Sequence, residues 1–276
     1  MQRSLREIVI GSAVLLTASI AVAGTPLPNP PFTTGGFVPP DSLVFKQEAA
    51  VAKILSKYAV NRTKCDQKAL IALQLAYEPA NMGKVPDVQA VWTACVTKVT
   101  QQYEVARDKL VLKGTPACLG QAGIDAIRAQ IDGQLPVLGA IVYCDGDAAG
   151  PDPVTLLNIP DFKNEASGEV SAAKVLTKAG VLAGKCYSLA VKYAFKLGGT
   201  LPAEILAKID ACFQKAADGG SAAIDKLDQT QKLPACLPLL TAQGLLTATI
   251  NLAGQFNDEN YCASPSGAFV AGDSDL

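Results

Sequence analysis

Eight cysteines, arranged as the same quartet twice, constrain this chain more than any other feature of its sequence. Each quartet reads Lys-Cys, Ala-Cys-x-x-Lys, Pro-Ala-Cys-Leu and Tyr-Cys. The cysteines are 30, 23 and 26 residues apart in the first quartet and 26, 24 and 26 apart in the second. This recurrence predicts a tandem duplication of a unit of about 100 residues. The quartets are Cys65, Cys95, Cys118 and Cys144, then Cys186, Cys212, Cys236 and Cys262.

The N-terminal residues have the pattern of a secretory signal peptide. Arg3 and Arg6 precede an apolar run at residues 8–20, and Ala21-Val22-Ala23 supplies small residues before a cleavage point. An uncleaved membrane anchor fits less well, because the run is short for a span of about 20 residues. We therefore expect an exported protein, periplasmic, on the cell surface or extracellular, with no transmembrane span in the mature chain. In such a compartment the cysteines are expected to form four structural disulfides.

The absence of histidine excludes several classes of function. Without histidine the chain has no Ser–His or Cys–His nucleophile pair and no metal site that uses imidazole. It also lacks a Cys-x-x-Cys pair, which argues against a redox pair or a zinc knuckle. A formal charge of −1 without a strong basic run gives no reason to expect nucleic acid. We therefore predict no catalytic residues, no metal ligands and no cofactor.

Composition and periodicity predict an all-α fold. The chain is 49% hydrophobic but only 6% aromatic, which suits closely packed helices. Apolar residues recur every three or four positions around both quartets. We predict two tandem disulfide-stapled helical modules, each an antiparallel helical hairpin plus a third helix. The predicted order is signal peptide 1–23, Pro-rich arm 24–42, module 43–144, acidic linker 145–161, module 162–262 and flexible tail 263–276.

The turns between the predicted helices indicate how the first two cysteines of each quartet pair. Cys186 lies 12 residues before Gly198, and Cys212 lies 12 residues after Thr200. At 1.5 Å per residue both lie about 18 Å from the same turn, facing each other across a hairpin. Cys186–Cys212 is therefore predicted, and the same argument about the turn near residue 80 predicts Cys65–Cys95.

The remaining cysteines are paired by elimination, as Cys118–Cys144 and Cys236–Cys262. A straight helix of 26 residues would hold each pair about 40 Å apart. These bonds therefore require the chain to reverse within each third helix. Glycine and proline at residues 133–136, and the segment 254–260, are where we expect that reversal.

A recurring set of lysines is a candidate anion-binding face. The competing interpretation is a solvated helix side, because acidic residues are nearby and spaced lysines on alanine-rich helices usually face water. We favour the solvated side. The lysines are Lys53, Lys57 and Lys64, with Lys174, Lys178 and Lys185 in the second copy.

Aromatic and acidic residues give no clear active site. Trp92, Tyr58 and Tyr103 fall on apolar stripes and are predicted to be core residues. Asp125 and Asp132 have no counterparts in the second copy. No pair of carboxylates for acid–base catalysis can therefore be singled out.

The quartet, set in alanine- and lysine-rich helices, resembles a cysteine-containing helical repeat of exported proteins from environmental, myxobacteria-like bacteria. The resemblance covers residues 43–144 and 167–262. It implies export and repetition, and it transfers no catalytic residues because that group has no assigned activity.

Two functions of different classes are compatible with these features. The first is a non-enzymatic exported structural or interaction protein with an unidentified protein or envelope partner. The second is a carrier of a lipid or other apolar small molecule, because residues 237–252 are unusually apolar. An enzyme that relies on carboxylates alone is a third hypothesis.

Overall fold

A computed structural model describes residues 39, 41–77, 87–116, 119–143, 163–198 and 201–261. Within these ranges the chain forms helices and no strand, which confirms the all-α prediction. The helices are α1 (Ser42–Tyr77), α2 (Val88–Lys113), α3 (Gln121–Val142), α4 (Lys163–Lys196), α5 (Ala203–Gln229) and α6 (Leu239–Asn260).

Aspartates begin two of the helices in the first half of the chain. The Asp41 carboxylate accepts hydrogen bonds from the backbone N–H groups of Leu43 and Val44, at 2.7 and 2.9 Å. Asp87 does the same for α2, whose first helical residue is Val88. These carboxylates satisfy N–H groups that have no partner within the first turn of a helix.

Disulfides join the first two helices of each half. Cys65 in α1 is bonded to Cys95 in α2, with their Cα atoms 5.5 Å apart. Cys186 in α4 is bonded to Cys212 in α5, with a Cα separation of 5.7 Å. Both predicted pairings are therefore confirmed.

Helices α1 and α4 form the centre of the molecule. They pack against each other, and each also contacts both α3 and α6. Phe45, near the start of α1, stacks on Phe195, near the end of α4, with ring centroids 5.2 Å apart. Buried alanines along α4, among them Ala183 and Ala190, let neighbouring helices approach closely. One continuous apolar core therefore connects the two halves.

The expected reversal of the chain within the third helices is wrong. α3 is continuous from Gln121 to Val142 with Pro136 inside it, and α6 continues through Gly254 to Asn260. Proline removes one backbone hydrogen bond of a helix interior. Leu135 and Leu138, on either side of Pro136, pack against the core. Their burial offsets the lost hydrogen bond.

Continuous third helices remove the geometry on which two predicted disulfides depended. A helix of 22 residues is about 33 Å long, far more than a disulfide spans. Cys118, Cys144 and Cys262 lie outside the described residues. Cys236 is disulfide-bonded, to a cysteine outside the described residues.

Most predicted segments outside the modules are not covered by the structure. The signal peptide, residues 24–38 of the arm, the linker 145–161 and the tail 263–276 lie outside the described residues. None of the helices in the described part of the chain is long and apolar enough to span a membrane.

Candidate functional site

The polar groups inside the helical core are the places where this protein could carry out chemistry. We call α1–α3 the first half and α4–α6 the second half. One set of polar groups ties the three helices of the first half together. We call it the Arg–Tyr–Asp cluster, and it consists of Tyr58, Tyr103, Arg107, Asp125, Arg128 and Asp132.

Asp125 connects α3 to α2. Its carboxylate accepts a hydrogen bond from the Tyr103 hydroxyl at 2.8 Å. Both of its oxygens accept from Nη1 of Arg107, at 2.7 and 2.8 Å. Arg107 also pairs with Asp108 at 2.8 Å. Charge-assisted hydrogen bonds of this kind fix the orientation of the groups they join.

Asp132 connects α3 to α1. It accepts a hydrogen bond from the Tyr58 hydroxyl and pairs with Nε of Arg128 at 2.7 Å. The Arg128 guanidinium lies over the rings of Tyr58 and Tyr103, at 5.2 and 5.8 Å from their centroids. A cation above an aromatic face is attracted by the electron density of the ring. Arg128 therefore bridges helices by charge and by stacking.

Burial raises the pKa of both tyrosine hydroxyls above its ordinary value. For Tyr103 the hydrogen bond to Asp125 raises the pKa further, and for Tyr58 the hydrogen bond to Asp132 does so. Both hydroxyls therefore stay protonated and act as hydrogen-bond donors. Each carboxylate of the cluster is engaged by a tyrosine and an arginine, so it holds helices together instead of presenting a free base.

A second polar group lies beside the first disulfide. Arg62 pairs with Asp66 at 2.7 Å, and both are buried. Nε1 of Trp92 donates to Asp66 at 3.0 Å, and the Arg62 guanidinium lies 4.7 Å from the Trp92 ring centroid. Burial raises the pKa of Asp66, and the charge of Arg62 opposes that rise. Trp92 packs against the core as predicted, with its polar edge satisfied.

Two glutamates are buried at equivalent positions in the two halves. Glu48 lies 17 residues before Cys65, and Glu169 lies 17 residues before Cys186. Their exposed fractions are 0% and 1%. Both carboxyl oxygens of Glu48 and one of Glu169 find no hydrogen-bond partner among the described residues. Burial raises the pKa of each to about 8, so both are protonated at neutral pH.

Each buried glutamate lies near the tyrosine that follows the third helix of the other half. The pKa of Tyr261 is raised by burial and also by the charge of Glu48. The pKa of Tyr143 is raised by burial and by the charges of Asp66 and Glu169. The Tyr261 hydroxyl donates to the Ser188 hydroxyl at 3.0 Å. In each half a buried glutamate therefore influences the tyrosine of the other half by its charge.

Sequence reasoning placed some of these residues and missed others. Tyr58 and Tyr103 are buried, as predicted. Asp125 and Asp132 were noted only because the second copy lacks them, and the structure gives both a partner. Glu48 and Glu169 were missed. The available signal was a glutamate at the same distance from the first cysteine of each quartet.

The described residues contain no group of three or more cysteine, aspartate or glutamate side chains that could hold a metal ion. No known protein family matches the chain, and no similar curated protein or solved structure is found.

Proposed function

We propose that this chain is an exported, non-enzymatic structural or interaction protein built from a duplicated, disulfide-bonded helical module. The observation that carries the proposal is that two halves with an equivalent disulfide between their first two helices share one apolar core. Glu48 lies near Tyr261, and Glu169 lies near Tyr143. Two copies of one unit, related by a twofold arrangement, would bury their interface in this reciprocal way.

The disulfides support export. A bond joins the first and second helices in each half, and such bonds persist in oxidising compartments outside the cytosol. Closing loops of this length stabilises a chain by about 3–4 kcal/mol per bond in the chain-entropy model. Two modest helical units remain folded in that environment with such support.

The partners of the polar groups support a structural role. In the Arg–Tyr–Asp cluster every carboxylate is bound by an arginine and a tyrosine. The glutamates between the halves are buried, where a dissolved substrate cannot reach them. Acid–base catalysis needs a titratable group within hydrogen-bonding reach of a substrate. The arrangement instead holds helices and halves together.

Cellular fractionation tests the export part of the proposal. The full chain, produced in an exporting host, is expected outside the cytosol without free thiols. A matched chain that lacks residues 1–23 is expected to stay in the cytosol with reduced cysteines. Retention of the full chain in the cytosol would contradict export.

Enzymatic assays test whether the protein is non-enzymatic, and native mass spectrometry tests whether it carries an apolar molecule. The oxidised protein is expected to show no turnover on panels of ester, peptide, glycoside and phosphoester substrates. Turnover that disappears in a folded Asp125→Asn variant would overturn the non-enzymatic proposal. A co-purified apolar molecule in the native mass spectrum would instead favour the carrier of lipids or other apolar molecules.

A further inference from the structure

The outer faces of the two central helices carry long rows of lysine. All ten side chains are exposed. Within each helix they are separated by steps of four and seven residues. At 100° per residue, such steps confine each row to a sector of about 60°. We call the two rows together the lysine face, and they consist of Lys46, Lys53, Lys57, Lys64 and Lys68 on α1 and Lys174, Lys178, Lys185, Lys192 and Lys196 on α4.

The acidic residues expected to balance these lysines do not do so. α1 and α4 contain four acidic residues, and Glu48, Asp66 and Glu169 are buried in the core. The fourth, Glu165, lies in the first turn of α4, on the opposite side of the helix from the lysine row. None of the ten lysines forms an ion pair with another described residue. Among the described residues, the acidic side chains of α1 and α4 therefore do not neutralise the lysine face.

Both rows lie on the same side of the molecule. α1 and α4 pack side by side, and each directs its opposite, buried face toward α3 and α6. Helices of 36 and 34 residues are about 50 Å long, and packed helix axes lie about 8–10 Å apart. The lysines therefore form a broad, flat array instead of a single stripe.

The array stands out because the chain as a whole is almost neutral. The formal net charge is −1, so acidic side chains must be concentrated elsewhere. Exposed carboxylates of the described helices occur on α2 and α5, which flank the central pair. They include Asp108, Glu204, Asp210, Asp218 and Asp228. They are interspersed there with exposed lysines such as Lys98, Lys109 and Lys208, whereas every charged residue described as exposed on α1 and α4 is a lysine.

We propose that the lysine face binds the surface of an anionic lipid bilayer through charge alone. A flat array of ammonium groups is complementary to a plane of anionic headgroups, and each lysine near such a surface adds to the attraction. No aromatic residue lies among the lysines of either row, so bases of a single-stranded nucleic acid would find nothing to stack on. The inference names a partner class for the proposed function and rests on export.

Vesicle binding with matched charge variants tests the proposal. The face variant replaces six lysines of the lysine face by glutamine, and the control variant replaces six exposed lysines elsewhere, so their net charges are equal. The substitutions are Lys53→Gln, Lys57→Gln, Lys64→Gln, Lys174→Gln, Lys178→Gln and Lys185→Gln in the face variant. They are Lys98→Gln, Lys109→Gln, Lys208→Gln, Lys215→Gln, Lys226→Gln and Lys232→Gln in the control.

The oxidised protein from an exporting host is mixed with vesicles of one part phosphatidylglycerol and two parts phosphatidylcholine. We expect the wild type and the control variant to sediment with these vesicles, with affinities within about threefold of each other. The face variant should lose at least about tenfold in affinity. Binding should disappear on pure phosphatidylcholine and in about 0.5 M NaCl, because salt screens exposed charges.

A third variant separates loss of charge from loss of fold. With arginine at the six face positions the charge is kept, and binding should remain within about threefold of the wild type. Equal losses in the face and control variants would overturn the proposal. So would a wild type that does not bind anionic vesicles. If the protein bound inorganic polyphosphate through these lysines but did not bind vesicles, the partner would be a soluble polyanion and the membrane proposal would be wrong.

These outcomes are independent of the tests of the proposed function. If the protein did not bind vesicles, the proposed membrane partner would be wrong, but the results of the export and turnover measurements would not change. Conversely, a cytosolic location of the full chain would remove the export proposal whatever the vesicles show.

Discussion

The two halves hold three helices together with different chemistry at the same positions. In the first half the contacts are made by the Arg–Tyr–Asp cluster. In the second half five of the six residues at equal distances from the cysteines are small or apolar, and buried. The sixth, Gln243 at the position of Asp125, donates a hydrogen bond to Asp225 at 2.9 Å. Counting from the nearest preceding or following cysteine, Tyr58, Tyr103, Arg107, Arg128 and Asp132 correspond to Ala179, Gly220, Ile224, Leu246 and Ile250.

One pair of positions shows how different side chains fill the space between the second and third helices of each half. In the first half Arg128 covers the ring of Tyr103. In the second half Leu246 packs directly on Gly220, where an added Cβ would lie within 3.0 Å of the leucine side chain. A large pair and a small pair thus occupy equivalent sites. The comparison indicates that the helix arrangement does not require the cluster, which is one of two solutions for the same core.

A second exchange occurs where the first helix of each half meets the segment before the third helix. Gln47 contacts Gly114 in the first half, whereas Gly168 approaches the backbone of Lys232 in the second. Gln47 and Gly168 each lie 18 residues before the first cysteine of their quartet. Gly114 has a φ of 99°, which glycine adopts without strain. Each half therefore places a glycine on one side of this contact.

The first prediction concerns the disulfide of Cys236. Because α6 carries the chain about 33 Å away from Cys236, a bond to Cys262 is not expected. Gly168 lies against Lys232 and Pro234, close to Cys236, and the next residue, Glu169, lies near Tyr143. We therefore predict a bond between the halves, Cys144–Cys236.

Peptide mapping without reduction checks this bond. Loss of the bond in a Cys144→Ala/Cys236→Ala variant should lower the free energy of unfolding by about 4 kcal/mol, because the loop it closes is long. The matched control is Cys186→Ala/Cys212→Ala, which opens a loop of 26 residues and should cost about 3 kcal/mol. A peptide that contains Cys236 joined to Cys262 would contradict the prediction.

The next effect concerns the buried glutamates, which the two halves share. The folded-state pKa of Glu48 and Glu169 is about 8, above the ordinary value of 4.5. Between these values the folded state holds more protons than the unfolded state, so stability falls as pH rises. The stabilisation that the two protonated glutamates give the folded state is complete below about pH 4.5 and is lost by about pH 8. Between these values each group lowers the free energy of unfolding by up to about 1.4 kcal/mol per pH unit.

Denaturation at several pH values tests the glutamates. Glu48→Gln and Glu169→Gln should each make the free energy of unfolding less dependent on pH between about 4.5 and 8, because each removes one titrating group. The double variant should remove the contribution of both groups. The neighbouring groups that titrate are Tyr261 beside Glu48, and Tyr143 and Glu165 beside Glu169. Glu204→Gln, at an exposed position, is the control and should leave the slope unchanged. An unchanged slope in the double variant would disprove the assignment.

Much of the fold could be predicted from the sequence because its signals are local. Helical periodicity and the glycines of the turns predicted the helices and the pairs Cys65–Cys95 and Cys186–Cys212. The third helices were predicted to reverse because the disulfides assigned by elimination required it, and in the first half Gly133 and Pro136 offered a place for the reversal. Packing of Leu135 and Leu138 against the core overrides the preference of these two residues against a helix, and no local pattern reports it.

The candidate site was less predictable, because it depends on which helices meet. A glutamate followed by lysines on an amphipathic helix normally faces water. Glu48 is instead covered because α1 packs on both α4 and α6. The same burial removes acidic charge from beside the lysines. The expectation that acidic residues balance the lysines was wrong for the same physical reason that the buried glutamates were missed, namely the burial of these glutamates between helices.

A smaller effect is expected at the glycine of the second half that stands where the first half has Tyr103. Gly220→Ala would force a Cβ into Leu246, and overpacking of this kind costs about 1–3 kcal/mol. Gly219→Ala, where nothing lies within 4 Å of the added atom, should stabilise the helix by up to about 1 kcal/mol. Thermal denaturation of the two variants measures the difference. A Gly220→Ala protein as stable as Gly219→Ala would contradict the close approach.

A further prediction concerns replacing two residues of the Arg–Tyr–Asp cluster by the residues at the equivalent positions of the second half. Asp132→Ile alone leaves Arg128 without its ion pair and Tyr58 without its acceptor, and should cost about 2 kcal/mol. Adding Arg128→Leu removes the unpaired cation and reproduces the Leu246 and Ile250 pair of the second half. Because the buried Tyr58 hydroxyl would lose both Asp132 and Arg128, the variants are made in a Tyr58→Phe background. In that background the double variant should lie within about 1 kcal/mol of the parent protein. Chemical denaturation of both single variants and the double variant gives the coupling between the two sites. If the double variant loses as much as the two single variants together, the cluster is required by the first half, and the two cores are not interchangeable.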